Sequence, residues 1–259
     1  MKIVSFNIRC CYDGWDGINS FCHRAGKIWE TIKNEKPDII AFQEVIPEIR
    51  EMLEVILPDY ILVGQGRHDE YDGEGLFTAI RKDTFDLIGL DCYWISDTPY
   101  TPLSGVPGQS PCPRICVETI VINRKTRKLY SISNVHLDYE NEEVRAAEMK
   151  CLINKITDNR KKRKLEAVIL GDFNALPDSE SIKYALSDKS LDLTDVTKNI
   201  PISFHAFGGT EEGEEICKID YQLVTPGLAK AFKESGIWDE ERHGIYLSDH
   251  YPVWAVYED

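Results

Sequence analysis

The sequence predicts an α/β layered sandwich, with stacked sheets covered by helices. Three observations predict it. Short apolar runs alternate with helical repeats in the first half, and a strand-rich stretch follows from Tyr60. A second long helical repeat then precedes Ala167-Val168-Ile169-Leu170, a run apolar on both faces. Such a strand lies inside a sheet covered by other layers.

Taken in order, residues 2–8 read as a strand. Phe21, Ala25, Ile28 and Ile32 recur at helical spacing, and Pro37 ends the amphipathic helix that they mark. Residues 38–42 form an apolar strand, and a helix over 47–57 carries Pro47 in its first turn, where proline is tolerated. Strands are predicted over 60–64, 75–81, 84–95, 114–123 and 128–137. The polar N-R-K-T-R-K at 123–128 suits a hairpin loop between the last two. Val144, Ala147, Cys151, Leu152 and Ile156 mark a long helix before the buried strand. Residues 219–224 and 252–257 are the final strands.

A chain of 259 residues fits one large domain or two small ones. No low-complexity tract, evident repeat or Pro/Ser-rich linker divides it, which favours a single domain over 1–259. Thirty Lys and Arg against 44 Asp and Glu leave a net charge of −14. A protein that grips long duplex by neutralising many phosphates carries a basic face instead. The dense basic run Lys161-Lys162-Arg163-Lys164 ends a predicted helix, where cations favour the negative dipole end. The eight cysteines are scattered without a C-x-x-C pair and read as thiols of a reducing compartment. With no signal-peptide pattern and no run able to span a bilayer, the expected location is the cytoplasm, with no membrane partner.

Polar residues recur where apolar strands end or begin: Asn7, Gln43-Glu44, Asn134 to Asp138, Asp172 to Asn174, Asp220, and Ser248-Asp249-His250. Any one of them could cap a turn. Glu44 is harder to explain that way, because a carboxylate closing a buried run needs a partner. Strand alternation places Asn134, His136 and Asp138 on one face. The types suit phosphoester hydrolysis. A hard divalent cation takes carboxylate oxygens such as Glu44, with Asn7 beside it, and neutralises the charge of a phosphoryl group. An Asp–His pair supplies a base, while Asn and Arg hold the non-bridging oxygens.

The motifs S-F-N-I-R, F-Q-E-V, N-V-H-L-D, G-D-F-N, K-I-D-Y and S-D-H-Y-P-V, in that order from residue 3 to 256, resemble the endonuclease/exonuclease/phosphatase superfamily. Gly64-Gln65-Gly66-Arg67, Gly73-Glu74-Gly75 and Tyr93 to Pro99 are similar to its bacterial branch related to deadenylases. The resemblance implies a four-layer α/β/β/α sandwich, two packed mixed sheets flanked by helices, with Mg2+ or Mn2+ as cofactor. It implies Glu44 as principal metal ligand, with Asn7 and Asp249 contributing. Asp172 and Asn174 would position water and phosphate. His250 would be oriented by Asp220, and His136 would pair with Glu74. Arg114, after Pro111-Cys112-Pro113, would reach the phosphate, and Asn134 is assigned to phosphate binding as well.

Two departures concern substrate choice: Ile115-Cys116-Val117-Glu118 follows that arginine, and Ser203-Phe204 precedes the last motifs. The acidic loop 211–215 would repel a polyanion unless a metal or Lys218 offsets it. The leading expectation is a monomeric phosphodiesterase or nuclease acting on a phosphoester, including short or single-stranded nucleic acid. A phosphatase of sugar or inositol phosphates is the alternative, and a catalytically silent binding module is the reading from another class.

Overall fold

The computed structural model describes residues 1–10, 16–162, 165–209 and 216–258. In chain order, β1 (Lys2–Asn7), α1 (Phe21–Glu35), β2 (Ile39–Val45) and α2 (Pro47–Ile56) come first. Strands β3 (Tyr60–Gly66), β4 (Gly75–Arg81), β5 (Phe85–Trp94), β6 (Ile115–Asn123) and β7 (Leu129–His136) follow. Next are α3 (Glu142–Lys162), β8 (Glu166–Asp172), α4 (Glu180–Ser187), β9 (Thr194–Asp195) and β10 (Asp220–Val224). The chain ends with β11 (Phe232–Ile237), a small hairpin of β12 (Glu241–Arg242) and β13 (Ile245–Tyr246), and β14 (Val253–Tyr257).

One six-stranded sheet has the order β11-β14-β1-β2-β4-β3, the other β5-β6-β7-β8-β10-β9. Each contains one parallel pair, β1 with β2 and β7 with β8, and its other pairs are antiparallel. A parallel pair needs a crossover, and α1 and α3 provide the two. The expected layering is present. Val4, Phe6, Ile40 and Phe42 pack outward with Ile28 and Ile32 of α1 and Ile49 and Leu53 of α2. Ile3, Ile39 and Ala41 pack inward with Ile132, Val168, Leu170 and Val224 of the second sheet. The far face of that sheet joins Met149, Leu152 and Ile156 of α3 to Ile182 and Ala185 of α4.

Strand alternation follows from this packing. Ile3, Ser5 and Asn7 share the inward face of β1, and Val168, Leu170 and Asp172 that of β8. Two buried amides tie the sheets together. Gln222 Nε2 donates to the carbonyls of Ile3 and Val253, both at 3.1 Å. Asn134 Nδ2 donates to the carbonyls of Phe42 (2.9 Å) and Phe77 (3.2 Å).

The sequence reading omits α4, β9, β11 and the β12–β13 hairpin. The F-K-E-S-G-I of β11 is a partly exposed edge strand without apolar alternation. The strands β9, β12 and β13 have two residues each, and α4 only eight, too few for a periodic signal. Lys161 pairs with Asp158 at 2.9 Å; the side chains of residues 162–164 lie outside the described residues, as do Cys11 and the acidic loop 211–215. Among the described residues no disulfide forms, and no helix is long and apolar enough to cross a membrane.

Candidate active site

Parallel pairing brings the C-terminal ends of β1 and β2, and of β7 and β8, to one end of the sandwich. Asn7 lies opposite Gln43, and His136 opposite Asp172. Antiparallel β10 starts where β8 ends, so Asp220 lies opposite Asp172. Simple alternation would send Glu44 outward with Ile40 and Phe42. A bulge between Phe42 and Val45 breaks the phase, and Glu44 takes a left-handed φ of 60°. Its carboxylate consequently accepts from the Asn7 amide (2.9 Å) and from the Cys10 backbone N–H (3.0 Å). Gly171 prepares Asp172. Its φ is 145°, and an added Cβ would lie 1.8 Å from the Val135 carbonyl oxygen.

Asn7 Nδ2 also donates to Asp172 Oδ2 at 3.0 Å and lies 3.4 Å from His250 Nε2. Its oxygen accepts the Arg9 backbone N–H at 3.0 Å, so Asn7 faces the carboxylates as a donor. Asp172 Oδ2 is 3.5 Å from His136 Nε2 and 3.7 Å from His250 Nε2. Its other oxygen accepts the Asn174 N–H at 2.9 Å, and Asn174 Nδ2 donates to the Leu137 carbonyl at 3.0 Å. His250 Nδ1 meets Asp220 Oδ2 at 2.8 Å, the expected orienting pair. Asp249 Oδ2 stands 3.6 Å from Arg9 Nη1.

Glu44, Glu74, Arg67, Arg114 and His136 line one small pocket. Arg114 is 3% exposed, its guanidinium 5.7 Å from the Tyr139 ring centroid, and its Nε is buried without a partner among the described residues. Glu74, expected on His136, forms an ion pair with Arg67 at 2.9 Å. Arg67 is absent from the sequence-derived site; its G-Q-G-R segment carries the signal, but a hairpin end is not a cluster of strand-end polar residues. Arg9 was likewise visible only as the last residue of S-F-N-I-R.

Three further expectations need correcting. Asn134 is not brought to the cluster, because its amide spans the two sheets and its oxygen accepts from Gln43 at 2.8 Å. Asp138 lies past the end of β7 and leaves the shared face; its carboxylate accepts the N–H groups of Ser110, Glu140 and Asn141. Lys218 does not offset acid at the site. It is buried, paired with Asp195 at 2.8 Å and bonded to the Thr197 carbonyl.

Burial pushes Asp172 up to about 7, with Asp220 adding to the shift against His250. Burial also disfavours the His250 imidazolium, but Asp220 and Asp172 outweigh it and raise His250 to about 10. Burial and the Arg114 charge drive His136 well below its ordinary value. Glu44 keeps its charge although burial opposes it. The N–H donors of Cys10 and Asn7, with the Arg9 charge, hold it low. Asp249 is raised by burial first, then by Glu44. Four carboxylates thus share one end, and burial and neighbouring acid raise Asp172 and Asp249 because too little positive charge compensates them. A divalent cation supplies that charge, and the oxygen-rich donor set of Glu44, Asp172 and Asp249 suits a hard one. Asp172, Asp220 and His250 also bring ligand atoms within 4.8 Å of one another, but Asp220 engages the His250 Nδ1.

Fold and cluster together define a phosphoester hydrolase with a site that fits a metal ion. Residues 4–250 match the endonuclease/exonuclease/phosphatase family, and the chain belongs to it. Enzymes of this family hydrolyse phosphoester bonds and are typically divalent-metal dependent. No curated protein matches the sequence. Solved structures do. A Bacteroides vulgatus endonuclease/exonuclease/phosphatase is 28% identical with a TM-score of 0.87, covering 98% of this chain and 97% of its own. The Bacteroides thetaiotaomicron mannosyl-6-phosphatase Bt3783 is 25% identical with a TM-score of 0.85, covering 99% and 98%. D. rerio TDP2 complexed with single-strand DNA product is 17% identical with a TM-score of 0.78, covering 100% and 99%, a likeness of fold.

Proposed function

We propose that this chain hydrolyses a small phosphomonoester of the sugar-phosphate type, with Mg2+ or Mn2+ held by Glu44 and supported by Asp172 and Asp249. The observation that carries this reading is the small pocket beside Glu44 and His136, lined by both Arg67 and Arg114. Each of these arginines has a buried Nε without a partner among the described residues. Paired guanidiniums suit a terminal phosphate dianion. The mannosyl-6-phosphatase similarity points the same way. A net charge of −14 and an internally paired Lys218 disfavour a long polyanion, the substrate class that the motifs alone put first.

The bound cation would neutralise charge developing on the phosphoryl and leaving oxygens. Asp172, fixed by Asn7 and the Asn174 N–H, would orient the attacking water and take its proton. His250, as the imidazolium held by Asp220, would donate from Nε2 to a phosphoryl oxygen. Neutral His136 and Arg114 would hold the opposite side of the phosphate.

The test is release of inorganic phosphate from sugar phosphates and p-nitrophenyl phosphate, beside cleavage of bis-p-nitrophenyl phosphate and a short oligonucleotide, with either metal. The expected result is a kcat/KM for monoesters at least about tenfold above that for diesters. The reverse preference would restore the nuclease reading, and no turnover with any substrate would leave the silent binding module.

A further inference from the structure

The pocket beside the cluster is narrow and open on one side, and its floor has room for about one water. A phosphate that reaches this floor needs one of the walls to give. Most walls are fixed. Leu76, Ile115 and Arg114 are buried, and Glu44 is held by two N–H donors. The Arg67–Glu74 wall differs. Its side chains are 14% and 17% exposed, and they sit at the two ends of the loop joining β3 to β4.

The loop's ends are themselves anchored. Gly66 pairs with Gly75, the Arg67 N–H donates to the Glu74 carbonyl at 3.2 Å, and the Arg67 carbonyl accepts Trp94 Nε1 at 2.9 Å. The backbone is therefore a fixed mount, and the movable parts are the two side chains. One guanidinium nitrogen holds Glu74 at 2.9 Å, while Nε stays buried without a partner among the described residues. A guanidinium that meets an anion edge-on uses two N–H groups, so this one has unused donor capacity in the pocket.

We infer that Arg67 is a second anion-binding arginine of the site, and that the Glu74 carboxylate stands in for the substrate until a phosphate dianion displaces it. This specificity element rests on the phosphomonoester reading above. A monoester carries its second charge at neutral pH, its second pKa being about 6, whereas a diester carries one charge at any ordinary pH. Exchanging a carboxylate for a dianion leaves both Arg67 and Arg114 compensated. Exchange for a monoanion leaves one of the two arginines short of charge. Glu74 thereby sets a threshold that favours dianions.

The test measures equilibrium binding of inorganic phosphate and dimethyl phosphate to the metal-loaded protein at pH 7.5, with wild type, Arg67→Gln, Arg67→Lys and Glu74→Gln. Arg67→Gln is expected to weaken phosphate binding by about tenfold or more while leaving dimethyl phosphate within about twofold. Arg67→Lys, which keeps charge but not the fork, should recover part of that loss. Glu74→Gln should tighten phosphate binding. Equal losses for both ligands, no loss for either, or weaker binding in Glu74→Gln would overturn the inference. Steady-state kinetics give an independent check, with kcat/KM for p-nitrophenyl phosphate lowered by about tenfold or more in Arg67→Gln and partly recovered in Arg67→Lys. The monoesterase reading stands or falls separately, on the wild-type ratio of monoester to diester turnover, and matched thermal unfolding of the variants excludes misfolding.

Discussion

Asp220 holds His250 through Nδ1, which leaves Nε2 beside Asn7 and Asp172. Asp220→Asn keeps the shape of this pair and removes its charge. It is expected to lower kcat by about 10^2-fold or more with a small change in KM, read from steady-state kinetics on p-nitrophenyl phosphate. An unchanged kcat would remove His250 from the reaction. At this scale the clustering was legible wherever a candidate side chain occupies an inward position at a strand end: Asn7, His136, Asp172 and Asp220 all do. It misled at Asn134, because alternation gives the face of a strand but not the depth along it. Asn134 lies two residues deeper than His136, among backbone carbonyls of the opposite sheet. Glu44 is the converse case, a residue whose strand phase is wrong for the site and is corrected by a bulge that no periodicity reveals.

The elements that deliver these residues are held by specific close contacts. Gly171→Ala would place a Cβ 1.8 Å from the Val135 carbonyl oxygen at a left-handed φ, at the residue before Asp172. The expected outcome is a lower denaturation midpoint and a loss of activity larger than the stability change explains; wild-type values for both would contradict the stated packing of β7 on β8. Asn134→Ala should cost about 1–3 kcal/mol in urea unfolding, because it strands the Phe42 and Phe77 carbonyls between the sheets. Metal binding in that variant should persist, since the amide touches the sheets and not the cluster. Long elements with a clear period were readable in the sequence, as α1, α2 and α3 were, whereas the pairing of the strands was not. The edge strand β11 was not, since F-K-E-S-G-I has no buried face to write an alternation on.

For the whole molecule, stability should fall as pH rises through neutrality. Glu148 on α3 is buried, accepts the Asp138 N–H at 2.9 Å, and is raised by that burial to about 8. An unfolded chain releases the same proton near the ordinary value of 4.5. Between those values the folded state binds more protons, so the stabilisation is complete below the lower value and is lost as pH climbs through the upper one. Glu148→Gln should flatten the decline in thermal midpoint between about pH 5.5 and pH 8.5, and an unaltered slope would assign the effect elsewhere. The central claim is that this acidic end of the sandwich hydrolyses phosphoesters through a divalent cation held by Glu44. The measurement that tests it most directly is p-nitrophenyl phosphate turnover with Mg2+, after EDTA, and after Mg2+ is restored, for wild type and Glu44→Gln. Turnover that EDTA abolishes, Mg2+ restores and Glu44→Gln lowers by on the order of 10^3-fold, at an unchanged thermal midpoint, is the predicted result. Turnover that survives either EDTA or the loss of the Glu44 carboxylate would contradict it.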